Sequence, residues 1–353
     1  MYLCVSICVY FFLGAYLFKM NLSEFFSLRK SLPVIDVRSE GEYATGHIPG
    51  AINIPILNNE ERKAVGTDYK QKGQKEAIMT GFRLIGPRLP EILEKAEQTA
   101  AGKELLIHCW RGGMRSNYFC QFVTMAKLKA RSLEGGYKTY RQKALDSFRL
   151  PLKLRVIGGS TGSGKSDILR ALASTGEQII DLETLAHHKG SVFGGLMMPK
   201  QPTTEQFQNN LFEEIMKLDV NRTIWVEDES LSIGRIFLPV DFWETMGKSP
   251  VVEVELNRGK RIERLVEEYG PADRNEFLEL MGKITKRLGG QNYNAAKEKL
   301  LEGDMHSTID ILLTYYDKAY QYGLDQKKKR IVSKVSWNGD DLGRVVSMLK
   351  DWV

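Results

Sequence analysis

Residues 152–166 read LKLRVIGGSTGSGKS, and the order of their properties decides how the second half of the chain folds. Leu154, Val156 and Ile157 predict a buried strand, and KSDILRALAS has the spacing of a helix. Between them, Gly159–Ser166 satisfies G-x-x-x-x-G-K-S. That pattern, placed between a strand and a helix, is a phosphate cradle. Gly159 opens the turn, and the N–H groups of Gly162, Gly164 and Lys165 can wrap a diphosphate at the helix N-terminus. Lys165 adds a point charge, and Ser166 adds a hydroxyl able to hold a metal. The pattern specifies polyphosphate and is silent on hydrolysis.

C-terminal to this loop, EQIIDLE, RTIWVEDES and SPVVEVEL predict further buried strands ending in acids. Asp181, Glu227 and Asp228 are therefore candidate acid or metal-supporting residues, and Glu227-Asp228-Glu229 stand where a Walker B acid does. DLETLAHHKGSVFGG (181–195) reads as a glycine-hinged surface loop carrying His188 and Lys189 toward the phosphate site. His187 and His188 lack companions at zinc-ligand spacing. From about Arg258 the pattern is mostly helical, with one late strand in KKKRIVSKVSW. Lys283, Lys286 and Arg287, and the run Lys327 to Arg330, are candidate contacts to RNA phosphates. For the later run, a solvated helix face is the competing reading. Tyr293 is a candidate base-stacking residue.

N-terminal to the loop, short apolar runs (LPVIDVRS, ELLIH) alternate with helical stretches (LPEILEKAEQTA, MRSNYFCQFVTMAKL). This predicts a small α/β domain with a parallel sheet, closed by a strand and a turn in RSLEGGYKTYRQ. Residues 108–116, HCWRGGMRS, join strand to helix. A helix N-terminus and nearby arginines favour the thiolate of Cys109. Gly112 and Gly113 let N–H groups turn inward as an anion nest, Arg115 caps the anion, and Arg111 adds charge at the rim. His108 reads as structural and Cys120 as core.

The totals agree with a soluble globular protein of two domains. The chain has 353 residues, 42% hydrophobic and 27% charged, with a net charge of +6. That charge permits an anionic partner without requiring one. Cys4, Cys8, Cys109 and Cys120 are too few and too scattered for a disulfide framework, so a reducing cytoplasm is expected. Residues 1–18 carry no charge. Three readings compete for this apolar extension, 1–19: an anchor, a buried helix, or upstream DNA translated from the wrong start. The last is favoured, with Met20 as first residue; membrane association is not expected unless 1–19 is an anchor. Domains are assigned to 20–148 and 149–353.

VIDVRSEGEYATGHIPGAINIP and LEGGYKTY resemble rhodanese domains, which carry sulfur as a cysteine persulfide. Cys109 to Arg115 spans seven residues, one more than the loop typical of sulfur-carrying rhodaneses, and H-C-x5-R also resembles cysteine phosphatases. Cys109 alone thus leaves chalcogen transfer and phosphate-ester hydrolysis open. Taken together, CWRGGMRS, GSTGSGKS, DLETLAHHKGSVFG, WVEDES and ITKRLGGQ in this order resemble the tRNA 2-selenouridine synthase family. The resemblance implies an α/β rhodanese-like domain, then a P-loop NTPase-like α/β domain with a helical C-terminal extension that binds tRNA. It implies that the 2-thiouridine at the wobble position of tRNA is S-geranylated from geranyl diphosphate. Selenium from selenophosphate, made by a supplying enzyme, then replaces the geranylated sulfur. No tightly bound cofactor is expected, and the magnesium requirement stays open. The alternative is a cysteine-dependent phosphatase fused to a nucleotide-binding domain.

Overall fold

A computed structural model describes residues 19–351, so the apolar extension lies outside the described residues apart from Lys19. The chain divides into two compact units that meet between Asp146 and Ser147.

In the first unit, strands β1 (Lys19–Met20), β2 (Val34–Asp36), β3 (Ile52–Asn53), β4 (Leu105–His108) and β5 (Ala130–Leu133) form a sheet. Its order is β1-β5-β4-β2-β3, and every pairing is parallel. β2 and β4 are buried along their whole lengths, as parallel strands covered on both faces must be. Helix Leu89–Ala100 buries Ile92, Ala96 and Ala100 at a spacing of four, the apolar stripe its sequence predicts. The polar stretch before it forms two helices, Asn59–Lys72 and Gln74–Ile85, because Gly73 between them takes φ +89°. The closing turn expected after β5 is instead a helix, Gly136–Ser147. Its buried Tyr137, Tyr140 and Ala144 repeat at three and four, a helical stripe that two leading glycines obscure.

In the second unit, β6 (Leu154–Gly159), β7 (Gln178–Ile180), β8 (Ile224–Glu227), β11 (Val251–Leu256) and β12 (Ile331–Trp337) form another parallel sheet, ordered β12-β11-β6-β8-β7. A small antiparallel hairpin, β9 (Ser232–Ile233) and β10 (Ile236–Phe237), turns at Gly234 with φ +60°. The helical extension does not trail the sheet. It runs from Arg258 to Lys327, between β11 and β12, around its own core that includes Leu265, Phe277, Met281, Leu300 and Leu313. The sheet core lies apart from it, built from Ile157, Leu169, Trp225, Val252 and Val335. Both glycine-bearing loops leave the C-terminal ends of interior strands, where open α/β sheets place ligands.

Candidate active site

The cysteine loop springs from β4. Cys109 is 3% exposed, and Ser116 Oγ in the first turn of helix Met114–Met125 lies 3.3 Å from its Sγ. Beneath the loop, Arg38 grips Asp36 through Nε and Nη2, the latter at 2.6 Å, and donates to Gly46 O at 2.7 Å. The Arg38 guanidinium lies 4.0 Å from the centroid of the Tyr137 ring. Burial alone would raise the Asp36 carboxyl; nearby His108 and Arg38 override it and hold it low. His108 is fully buried; that burial lowers its pKa against the opposing pull of Asp36, whose carboxylate lies 3.8 Å from its Nε2. Burial pushes the Cys120 thiol up to about 12, with the Cys109 charge a smaller cause, in keeping with a core residue.

The nest geometry depends on glycines from two segments. Gly112 has φ +63°, and a Cβ there would stand 2.5 Å from Leu133 O. Gly136, at φ +58°, faces it, where a Cβ would meet Cys109 O at 2.3 Å and Gly112 N at 2.5 Å. Tyr137 N and Lys138 N then donate to Cys109 O and Trp110 O. The Gly135–Gly136 pair is thus part of the cysteine loop's mould, although it lies more than twenty residues downstream. Gly113 is the residue before the helix, and no neighbour would crowd a Cβ there. Arg115 points its Nη1 and Nη2 at Glu42, at 2.6 and 3.2 Å, and Arg62 pairs with the same carboxylate. Burial would lower the Arg115 pKa, but Glu42 overrides it and keeps the guanidinium charged. Arg111 is exposed at the rim.

The phosphate loop follows β6 as its sequence requires. Gly162 and Gly164 take φ +78° and +86°, and a Cβ at Gly164 would lie 2.4 Å from the Trp337 ring. Trp337 also donates Nε1–H to Ser163 O at 3.0 Å, so the last strand of the sheet braces the loop. Lys165 Nζ donates to Gly159 O at 3.0 Å, and Ser166 Oγ donates to Glu183 at 2.8 Å. A cavity of about 850 Å³ opens from this loop, lined by Arg264 and Arg287 and by Tyr269, Tyr315, Tyr316 and Tyr320.

Of the three acids the sequence singles out, Asp181, Glu227 and Asp228, only Asp228 faces this cavity. Asp181 caps the short helix Leu182–Ala186 and pairs with Arg170. Glu227 is wholly buried; it accepts from Leu182 N, and burial raises its pKa well above the usual carboxylate range. Neither lines the cavity, whereas Glu183, Asp228 and Glu229 do. Asp228 is paired with Lys327. Burial, reinforced by the neighbouring Glu183 charge, pushes the Glu229 carboxyl up to about 8. Sequence reasoning missed Glu183 because a cap residue and a site residue stand only two positions apart.

Three further expectations change. His188 is 9% exposed and packs against Gly194, Gly195 and Gly234, so segment 181–195 is not a surface loop and the imidazole does not reach the cavity. Lys189 does line it, paired with Glu268 at 2.5 Å. Arg287 lines the cavity beside Tyr315, while Lys286 is exposed away from it and Tyr293 packs on the helical core. The run Lys327 to Arg330 is partly engaged inside the protein, since Arg330 donates to Met246 O and Ser249 O. Among the described residues no helix is long and apolar enough to cross a membrane.

Residues 152–347 match the model of the tRNA 2-selenouridine synthase AAA domain, and residues 22–143 match that of the rhodanese-like domain. Curated relatives named tRNA 2-selenouridine synthase come from Shewanella sediminis, Sulfurovum sp. and Cronobacter sakazakii. The first is 34% identical over 86% of this chain and 91% of its own length. The second is 34% identical over 85% and 91% respectively. The third is 36% identical over 89% of this chain and 93% of its own length.

Proposed function

Because the chain belongs to the tRNA 2-selenouridine synthase family, we propose that it replaces sulfur by selenium in 2-thiouridine at the wobble position of tRNA. Geranyl diphosphate and selenophosphate are the co-substrates. In the first step the thiocarbonyl sulfur attacks C1 of the geranyl group, the C–O bond breaks, and diphosphate leaves. The departing charge is met by the N–H groups of Gly162 and Gly164 and by Lys165. In the second step the selenium of selenophosphate adds at C2 of the base, the C2–S bond breaks with loss of geranylthiol, and water attacks phosphorus to break the P–Se bond and release phosphate. Cys109, with the loop N–H groups and Arg115, holds or carries selenium for that addition.

The observation that carries this reading is the make-up of the phosphate-loop cavity. Its lining joins a cradle for a diphosphate to the rings of Tyr269, Tyr315 and Tyr316 and to Val192. A phosphate cradle and aromatic rings in one cavity suit a prenyl diphosphate. The phosphatase alternative needs a free carboxylic acid over the cysteine to protonate a leaving oxygen. The carboxyls tied to that loop, Asp36 and Glu42, are instead held ionised against Arg38 and Arg115.

The test separates the two motifs. Lys165→Ala is expected to lose about a hundredfold in geranylation of 2-thiouridine tRNA. It should still convert pre-geranylated tRNA when selenophosphate is supplied. Cys109→Ala should geranylate normally and stall there. Nucleoside mass spectrometry reads both, and a Lys165→Ala enzyme that geranylates at the normal rate removes the glycine loop from the chemistry.

A further inference from the structure

Helix Gly136–Ser147 forms one wall of a groove of about 700 Å³ on the first unit. Lys138, Thr139, Gln142 and Lys143 line it, together with Arg111 of the cysteine loop and Leu22. This wall is fixed to the cysteine loop, because Lys138 N donates to Trp110 O at 2.9 Å. Arg38, Arg62, Arg88, Arg115 and Arg131 are each engaged by a carboxylate. Among the described residues, Arg111, Lys138 and Lys143 have no such partner. The lining carboxylate, Asp146, accepts a hydrogen bond from Gln142 Nε2 at 3.0 Å.

We propose that this groove binds the phosphodiester backbone of the substrate RNA, one strand of it, next to the cysteine loop. The proposal rests on the tRNA reading above and adds a second contact region to it. Unpaired cations beside neutral donors give a favourable potential for successive phosphates, with no base recognition required. Two observations point this way rather than to the helical extension alone. Arg111 belongs at once to the groove and to the loop that carries Cys109, so a strand lying here runs beside that loop. The basic run near Lys327, by contrast, is partly engaged with Asp228 and backbone carbonyls. An acidic protein surface is the other polyanion the groove could hold; its wall is bonded to the cysteine loop, where the proposed reaction needs RNA, and this favours RNA.

The experiment measures tRNA affinity of the full chain against salt, for the native protein and for the double variant Lys138→Ala, Lys143→Ala. Both lysines are exposed, and the helix keeps its backbone bonds to the loop. Each lost contact to a single strand lowers the slope of log affinity on log salt by about 0.7, so the pair lowers it by about 1.4. A fourfold rise in salt should then shrink the affinity gap between the two proteins by about sevenfold. A loss that does not vary with salt would mean structural damage and would overturn the proposal. So would unchanged affinity and slope, which would leave an acidic protein as the occupant to seek. If the native chain binds no tRNA at all, the family reading of its substrate fails as well, a result distinct from the other two. Iodoacetamide labelling of Cys109 at the native rate checks that the variant's loop is intact.

Discussion

Replacing Gly136 by alanine should cripple the cysteine loop without touching the cysteine. At φ +58° an alanine costs about 1–2 kcal/mol from backbone conformation alone. The added Cβ would also stand 2.3 Å from Cys109 O, 2.5 Å from Gly112 N and 3.0 Å from Arg111 N. All three are backbone atoms and cannot rotate away, so relief requires the two segments to part. Parting them breaks the bonds from Tyr137 N and Lys138 N, which contribute about 1 kcal/mol each. The expected cost is therefore about 3 kcal/mol or more, a hundredfold in the open-to-closed ratio of this region. Gly66→Ala is the matched control. It lies within helix Asn59–Lys72 with no atom near an added Cβ, and should stabilise the unit by about 0.5–1 kcal/mol. Amide exchange resolved at Tyr137 and Lys138 is the assay, with thermal unfolding alongside. If Gly136→Ala keeps native protection at both amides, the Gly135–Gly136 pair does not mould the loop.

Glu229 makes a pH prediction. Its carboxyl stays protonated until about pH 8, so raising pH through that point adds negative charge to the phosphate cavity. Pyrophosphate affinity should fall more steeply across pH 7 to 9 in the native protein than in Glu229→Gln, and parallel profiles would exclude this. The same shift acts on stability. The native state holds a proton that the unfolded chain releases near 4.5, so stability should decline as pH rises from there toward about 8. Glu229→Gln should flatten that decline in a thermal-melt series. For Trp337→Phe, loss of the bond to Ser163 O should weaken pyrophosphate binding by about 1 kcal/mol, near fivefold. Titration calorimetry showing native affinity would mean the last strand does not brace the loop.

What could be read from the sequence was local. GSTGSGKS and HCWRGGMRS each stand between a strand and a helix, and the structure places both loops there because their glycines and flanking apolar runs are contiguous. The partners of these loops are distant in sequence and were not legible. Gly136 closes on Gly112, and Trp337 reaches Ser163 from 174 residues away. The choice between Asp181 and Glu183 was hidden for another reason. A two-residue step around a short helix turns one carboxylate into a cap and the other into a cavity wall, and nothing in DLE marks which. His188 misled because a histidine beside lysine and glycine suggests exposure, whereas three glycines leave room for its ring inside.

The position of β12 also governs the order in which the molecule can be made. At about 5–20 residues per second, a ribosome needs roughly 4–16 s to travel from Leu256, the end of β11, to Trp337, the end of β12. During that time β11 is the outer strand of an unfinished sheet, with one row of backbone N–H and C=O groups open to any neighbouring nascent chain. Glu253 and Glu255 sit on that strand, and in the finished fold both are met by Lys334 of β12. Before Lys334 exists, two unpaired carboxylates on an open edge repel a second copy of the same strand. The arrangement guards the growing chain against self-association for as long as it waits for its own final strand.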